Sequence, residues 1–275
     1  MSETALEHAH TARARARALM AEADGGTTTA ADETVGEITT LLREALDGGV
    51  SGAGGDLGRH LVRTADGDPA VLREALDVLA VAAASGDHAA TLSYARAVHL
   101  LPSDLTSEHY VRAASQLNVL LRTAPGVEAM VYTGYMLASG HGYAKNPGRA
   151  RAMMQAAADA GSAEALFELY VYEATGFGGS HDDEAATTHL HQAAKLGYAR
   201  AMANLAGAYA TGNGMTRDEA KALTWYLRAA DAGSVRAAST LANMYATGQG
   251  APLSDDKSAR YARRAHELAH LPLNV

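Results

Sequence analysis

The length, composition and charge of this chain set the first limits on its fold and function. It has 275 residues, of which 48% are hydrophobic, and no cysteine. It can therefore bury a substantial core, but disulfides and thiol chemistry are excluded. The formal net charge of −8 disfavours nucleic acid and anionic membranes as general partners.

The sequence has no segment typical of an export signal or a membrane anchor. The N-terminus lacks an apolar stretch of signal-peptide length, and 18 apolar residues never occur together without a charge. We therefore expect a cytoplasmic protein. The usage of 19 Arg against 4 Lys is typical of a GC-rich bacterial genome.

Residues 1–56 are predicted to be a helical and flexible N-terminal segment. The first 24 residues form a weakly docked helix that stops at Gly25-Gly26. Three arginines alternate with alanine in this helix and indicate a solvated surface rather than a binding site. They are Arg13, Arg15 and Arg17.

A flexible connection is predicted over residues 47–56, where glycine recurs. It joins a helical segment at 32–47 to another at 57–84. We interpret residues 57–125 as degenerate or capping units of a helical repeat. Gly86 lies at a repeat boundary, and a spacing of four places three residues on one helix face, namely Ala90, Tyr94 and Val98.

Four glycine pairs define a strict repeat in residues 126–275. The pairs are 36 residues apart, at Gly140/Gly142, Gly176/Gly178, Gly212/Gly214 and Gly248/Gly250. Such a period indicates small units that stack and bury a shared core. We place the four repeats at 126–161, 162–197, 198–233 and 234–269, followed by a short tail.

Each repeat is predicted to be a hairpin of two helices. The first helix carries an alanine column at Ala129, Ala165, Ala201 and Ala237. Four residues later come Thr133, Leu169, Leu205 and Leu241. The first helix ends at the glycine pair, and a second helix starts after an Asn, Asp or Ser cap. The predicted fold class is therefore all-α, an α-solenoid of antiparallel helix hairpins.

The best-preserved repeat carries a known motif. It reads Ala-Met-Ala-Asn-Leu-Ala-Gly-Ala-Tyr-Ala-Thr-Gly-Asn-Gly from Ala201 to Gly214 and continues with Asp218, Trp225-Tyr226, Ala229-Ala230 and Gly233. This resembles the Sel1-like repeat, a relative of the tetratricopeptide repeat. The resemblance covers a little over half of the chain. It implies a curved α-solenoid that acts as an adaptor between other proteins, without a cofactor.

The resemblance also implies that the first helices line the concave side. The residues there grade from aromatic to polar along the chain, and tyrosine clusters are typical of binding anchors. We expect a peptide or partner helix to contact Tyr132, Tyr135, Met136, Phe167, Val171, Tyr172, Asn204 and Asn243. The alternative is that some of these aromatic rings pack against the preceding helical unit.

The second repeat departs from the pattern at two normally packed positions. Glu173 replaces Tyr or Leu, and His189 replaces an apolar residue. If they touch, they form either a structural ion pair or, with His181 nearby, the site of an enzyme or small-molecule binder. A metal site is disfavoured, because His189 and His191 point about 200° apart on a helix. We assign no metal and no catalytic residue.

The predicted function is that of a scaffold that binds another protein or peptide, and not nucleic acid or a membrane. Self-association through the C-terminal repeat is a further possibility. Few residues follow 234–269, so the last hairpin lacks a dedicated polar cap.

Overall fold

A computed structural model describes residues 3–24, 32–65, 68–101 and 106–269. These residues form α-helices joined by turns, without a strand among them. The helices are α1 (Glu3–Asp24), α2 (Asp32–Asp47), α3 (Ala53–Thr64), α4 (Pro69–Ala84), α5 (His88–Leu100), α6 (Ser107–Thr123), α7 (Val127–Ser139), α8 (Pro147–Asp159), α9 (Ala163–Thr175), α10 (Asp183–Lys195), α11 (Ala199–Thr211), α12 (Glu219–Asp231), α13 (Val235–Thr247) and α14 (Asp255–Ala269). The all-α prediction is confirmed.

The chain divides into two compact units. The first is centred on residues 1–125 and contains α1 to α6. The second is centred on residues 126–271 and contains α7 to α14. Within each unit every helix packs against the next one along the chain, which is the arrangement of a repeat solenoid. No helix in the described ranges has both the length and the hydropathy that crossing a membrane requires.

The second unit reproduces one hairpin four times. Its first helices, α7, α9, α11 and α13, each have 13 residues. Each ends at a glycine with φ between 71° and 88°, a left-handed conformation that a Cβ would strain. These glycines are Gly140, Gly176, Gly212 and Gly248. The turn, and therefore the hairpin angle, is set by backbone conformation at the same position in every repeat.

A recurrent backbone hydrogen bond fixes where each second helix begins. The N–H of the capping residue donates to a carbonyl near the end of the preceding helix over 2.8–3.1 Å. The four bonds are Asn146 to Leu137, Asp182 to Glu173, Asp218 to Tyr209 and Ser254 to Tyr245. In all four repeats the cap side chain also accepts a hydrogen bond from the backbone N–H three residues on.

The two residue columns predicted for the core are buried. Leu169, Leu205 and Leu241 have no exposed surface. The alanines of both helices are buried as well, so the helix backbones can approach closely. Thr133 is the exception in its column, since its hydroxyl is buried without a hydrogen-bond partner.

The N-terminal unit is more ordered than the sequence predicts. Helix α3 already begins at Ala53, and Asp56 is buried, so the flexible connection predicted over 47–56 is wrong at its C-terminal end. The helix predicted over 57–84 is in fact two helices. Asp68 caps the second of these and Pro69 occupies its first turn, two residue types that favour a new helix start.

Helix α1 is firmly docked on α2, contrary to the prediction of a weakly docked helix. Ala9, Ala12 and Ala16 are at most 5% exposed. The small alanine side chains allow close contact with the neighbouring helix. Gly25 and Gly26, where the sequence predicts that the helix stops, lie outside the described residues. In α5 the predicted buried face is present, since Ala90, Tyr94 and Val98 are almost fully buried.

Candidate functional site

Two columns of the repeat, one on the first helix and one on the second, contact each other in the second and fourth repeats. The pairs are Leu137 with Met153, Glu173 with His189, Tyr209 with Trp225 and Tyr245 with Tyr261. In the fourth repeat the two tyrosine rings stack at 5.8 Å and 6°. In the second repeat the same two positions hold a carboxylate and an imidazole.

Glu173 is only 2% exposed, and its carboxylate has a hydrogen-bond partner on each side. Its Oε2 lies 2.6 Å from His189 Nδ1, and its Oε1 accepts a 3.0 Å hydrogen bond from Arg151 Nη2. The three residues come from α9, α10 and α8. A buried carboxylate is tolerated when it is paired and hydrogen-bonded in this way. The structure therefore brings Glu173 and His189 together and adds Arg151 to the pair.

Arg151 was not found from the sequence, because its column gives no signal. The equivalent positions are occupied by Thr187, Leu223 and Ala259. His181 does not join the cluster. It lies on the surface, where its Nε2 is 3.0 Å from Asp183 Oδ1. His191 bonds the carbonyl of Thr187 instead. Among the described residues, no group of three or more His, Asp or Glu side chains could hold a metal ion.

Several of the aromatic anchors predicted for the first helices are buried within the unit. Tyr132, Met136, Phe167 and Tyr172 are between 3% and 7% exposed. Phe167 contacts the rings of Tyr170 and Tyr198, at 5.6 and 5.4 Å. Most of this aromatic surface is therefore used for packing between helices. The other predicted contact residues, Tyr135, Val171, Asn204 and Asn243, keep part of their surface accessible.

Tyr135 connects α7 to α9 through two carboxylates. Its hydroxyl lies 2.9 Å from Glu164 Oε1 and 3.2 Å from Glu168 Oε1. Burial raises the pKa of Glu168, an effect that Arg200 and the Tyr135 hydrogen bond only partly offset. Burial and the two carboxylates also raise the pKa of Tyr135. This cluster is polar, partly accessible and shared between two repeats, and no sequence pattern indicated its two carboxylates.

The same face changes sign further along the chain. Arg200 on α11 lies 3.9 Å from Glu168 and over the Phe167 ring at 4.9 Å. Arg236 on α13 donates a hydrogen bond to Asn204. Both contacts join residues 32 positions apart, so each arginine reaches back to the preceding first helix at the same place. The exposed strip of the first helices is therefore acidic and aromatic over α7 and α9, but basic and polar over α11 and α13.

The N-terminal unit contains a second charged cluster that the sequence did not predict. The Asp56 carboxylate accepts hydrogen bonds of 2.7–3.0 Å from Arg13, Arg17 and Arg59. Burial alone would raise the pKa of Asp56. The hydrogen bonds from Arg17 and Arg13 nevertheless hold this pKa below its usual value. The solvated role predicted for the arginines of α1 is therefore wrong for Arg13 and Arg17, since one helical turn separates them and both reach Asp56.

A cleft of about 930 Å³ lies beside this cluster in the N-terminal unit. Its walls include Arg13, Val50, Gly52, Val78 and Asp87. The glycine-rich segment that the sequence assigned to a flexible connection thus forms one wall of a concave surface. Nothing in the residue pattern of 1–125 indicated this cleft.

Comparisons with known proteins agree with the repeat geometry. The Sel1 repeat model matches residues 127–162, 163–198, 199–234 and 235–270. Each match begins one residue after a repeat limit predicted from the glycine pairs. No curated protein matches the chain.

Three solved structures with a similar fold come from bacteria. A Sel1 repeat protein from Oxalobacter formigenes is 21% identical over 94% of this chain and 83% of its own, with a TM-score of 0.59. The protective antigen c5321 of uropathogenic Escherichia coli, which has an SLR fold, is 19% identical over 85% of this chain and 49% of its own, with a TM-score of 0.54. The immunity protein Pa5087 from Pseudomonas aeruginosa is 20% identical over 80% and 84%, with a TM-score of 0.55.

The family assignment depends on three agreeing observations. The 36-residue period appears in the sequence, the four hairpins repeat it in three dimensions, and the family model matches more than half of the chain. This chain therefore belongs to the Sel1 repeat family.

Proposed function

We propose that this protein is a scaffold that binds a peptide segment or a partner helix along its first helices, α7, α9, α11 and α13. The observation that carries the proposal is the contrast between constant and variable positions. The alanine and leucine columns that build the unit are buried, whereas the partly accessible strip changes its chemistry from repeat to repeat. A surface that varies on a constant framework is typical of repeat proteins that recognise other proteins.

The contact residues in this proposal are the accessible members of the predicted set. They are Tyr135, Val171, Asn204 and Asn243, to which the structure adds Glu164 and Glu168. The rings of Tyr132, Phe167 and Tyr172 are buried behind this surface. Tyrosine with flanking polar groups is a common composition of binding surfaces.

A capture experiment with two matched variants tests the proposal. The first carries Tyr135→Ala, Val171→Ala and Asn243→Ala on the first helices. The control carries Gln155→Ala, Gln192→Ala and Arg263→Ala, three exposed positions on the second helices. Proteins captured from host lysate by the wild type and the control, but not by the first variant, would support the proposed surface. Equal capture by all three would exclude it.

A cytoplasmic location is part of the same proposal. Fractionation of host cells followed by immunoblotting tests it directly. Recovery of the protein outside the cytoplasmic fraction would contradict it.

The contact between Glu173 and His189 favours a second candidate, a small-molecule or enzymatic site. His189 lines a cleft of about 520 Å³ together with Gln155, Gln192 and Lys195. A thermal-shift screen of small molecules against the wild type and His189→Phe tests it. Compounds that raise the melting temperature of the wild type alone would support this site, and the absence of any would leave the ion pair with a structural role.

A further inference from the structure

The charged residues on the first helices are arranged in order, with acidic residues in the first two repeats and basic residues in the last two. One column of the repeat reads Glu128, Glu164, Arg200 and Arg236. The sign of the charge therefore changes once, between the second and the third repeat. Glu128, Arg200 and Arg236 are exposed, and Glu164 is partly accessible.

This column lies on the face where neighbouring first helices meet. Glu164 accepts a hydrogen bond from Tyr135 of the preceding first helix, and Arg236 donates to Asn204 of its own preceding helix. The four side chains are thus successive steps along one strip of the second unit. They are not charges scattered around the helices.

At the acidic end of the strip, the neighbouring donors do not fully satisfy the carboxyl groups of Glu164 and Glu168. The hydroxyl of Tyr135 has one proton, which two carboxylates share at 2.9 and 3.2 Å. Arg200 is 3.9 Å from Glu168, too far for a close hydrogen bond. Glu164 and Glu168 are therefore two carboxyl groups beside a single guanidinium group, that of Arg200.

A buried hydroxyl beside this cluster is also without a partner. Tyr172 follows Glu168 by one helical turn on α9, and its hydroxyl has no hydrogen-bond partner although the residue is only 6% exposed. Side chains of a helix lean towards its N-terminus, in this case towards Glu168. Burial and the Glu168 charge raise the pKa of Tyr172 to about 12. The hydroxyl therefore stays protonated and available as a donor or acceptor.

The guanidinium groups of the basic end are held loosely, since Arg200 lies 3.9 Å from Glu168, too far for a close hydrogen bond. Arg236 bonds a neutral amide oxygen of Asn204, and Arg200 lies over an aromatic ring. Both guanidinium groups remain able to pair with a carboxylate, for which their planar donor geometry is well suited.

We propose that the strip binds a segment of another protein that carries a basic side chain at one end and an acidic side chain at the other. The basic side chain lies against Tyr135, Glu164 and Glu168, and the acidic side chain lies against Arg200 and Arg236. This inference rests on the proposed scaffold function and specifies its partner. Packed helices lie 8–10 Å apart, so three steps from Glu128 to Arg236 cover roughly 30 Å, or about nine extended residues.

Selection from a random library of 12-residue displayed peptides tests the charge order. The full chain is the target, and the enriched peptides are sequenced. We expect Lys or Arg near one end and Asp or Glu near the other, in one consistent order. A selected peptide should bind more weakly as salt rises, because rim charges are screened.

A charge-reversed variant supplies the decisive comparison. It combines Glu128→Arg, Glu164→Arg, Arg200→Glu and Arg236→Glu, and selection on it should return peptides with the opposite charge order. The control, Arg264→Glu with Glu267→Arg, makes the same kind of exchange at exposed positions of a second helix, α14, and should return the wild-type order. Circular dichroism verifies the fold of each variant.

A milder variant keeps the test valid if the reversed protein does not fold. Glu128→Gln with Arg236→Gln changes only exposed side chains and should weaken binding of a wild-type-selected peptide about tenfold, a loss of about 1.4 kcal/mol. Unchanged binding would overturn the charge-order inference.

The remaining outcomes separate this inference from the proposed function. Enriched peptides without charge order would overturn the inference and leave the scaffold function standing. No enrichment over an empty support would overturn both. A salt-sensitive dimer in analytical ultracentrifugation, with no charge-ordered peptides selected, would show that a second copy covers the strip and would also overturn the inference.

Discussion

The second and the fourth repeats fill the same position between their helices with opposite chemistry. In the fourth, Tyr245 and Tyr261 stack as two parallel rings. In the second, Glu173 and His189 form an ion pair at 2.6 Å that Arg151 completes. The backbones around both pairs share the same glycine cap and the same backbone hydrogen bond to the next helix. The hairpin is therefore specified by its turns and small residues. The packed position between its helices can hold either an aromatic pair or a pair of titratable side chains.

Removing one member of the ionic pair should produce the largest loss of stability. Glu173→Leu installs the residue that the first repeat has at this position, but it leaves Arg151 and His189 without their carboxylate. We expect a loss of about 3 kcal/mol, because unpaired charge next to a core is costly. The urea midpoint followed by circular dichroism measures it.

The control for this variant is Tyr209→Leu, the same change in the third repeat. Tyr209 contacts His191 through its ring and, at 3.4 Å, through its hydroxyl, and Lys221 lies over the ring. No buried charge loses its partner there, so the expected cost is about 1 kcal/mol. Equal losses of unfolding free energy in the two variants would mean that leaving Arg151 and His189 without their carboxylate has no cost beyond the lost packing.

A second exception to the repeat pattern should respond in the opposite direction. Thr133 occupies the column filled by leucine in the other repeats, and its buried hydroxyl is unpaired. Thr133→Val removes the hydroxyl without changing the shape, so we expect a gain of about 1 kcal/mol. The melting temperature measures the change.

The matched control is Thr91→Val in α5. Thr91 is also buried, but its hydroxyl donates to the carbonyl of Asp87. The same substitution should therefore lower stability by about 1 kcal/mol. If both variants change stability with the same sign, the hydroxyl of Thr133 is not the cause of the effect.

These exceptions also mark how far sequence reasoning reaches. The glycine pairs, the caps and the alanine columns could be read from the 36-residue period, because each has one backbone role in every repeat. Arg151 could not, since its column varies freely. The docking of Arg13 and Arg17 on Asp56 was missed for another reason, because residues 1–125 lack a strict period and two distant segments meet there.

The sequence left open whether the aromatic anchors bind a partner or pack against the preceding unit, and their burial has a geometric reason. A column analysis of one helix assigns one face to the core and treats the rest as surface. In a stacked array each first helix also meets the neighbouring repeat, so Phe167 packs against Tyr198 of the next hairpin boundary. Only the narrow strip between these contacts, with Tyr135 and Glu164, stays accessible.

The accessible strip of the second repeat contains a titratable group, Glu168, where the fourth repeat has Thr240. The second repeat should therefore make stability depend on pH at this position. The raised pKa of Glu168 means that its protonated form is favoured by folding. Stability from this group is therefore present at low pH and lost as pH rises through the folded-state pKa. Glu168→Gln should be more stable than wild type at pH 7, and the difference should vanish below about pH 4.

Asp56→Asn in the N-terminal unit gives the control with the opposite sign. The lowered pKa of Asp56 means that its charged form is favoured by folding, so its contribution is present above the unfolded value and lost as pH falls. This variant should be less stable at pH 7, with the deficit disappearing below about pH 4. Parallel pH profiles of the two variants would contradict the assignment of both groups.

Exchange of the whole ionic cluster should have the smallest effect. Arg151→Leu, Glu173→Tyr and His189→Tyr together reproduce the residues that surround the tyrosine stack of the fourth repeat, where Leu223 precedes Tyr245. Replacing a buried ion pair by packed apolar groups is often neutral, so we expect stability within about 1 kcal/mol of wild type. The reverse exchange, Tyr245→Glu with Tyr261→His, should lose about 3 kcal/mol, because Leu223 cannot neutralise the new carboxylate as Arg151 does. If the triple variant is as unstable as Glu173→Leu alone, the surroundings of the second repeat require the charged residues. The two repeats are then not interchangeable at this position.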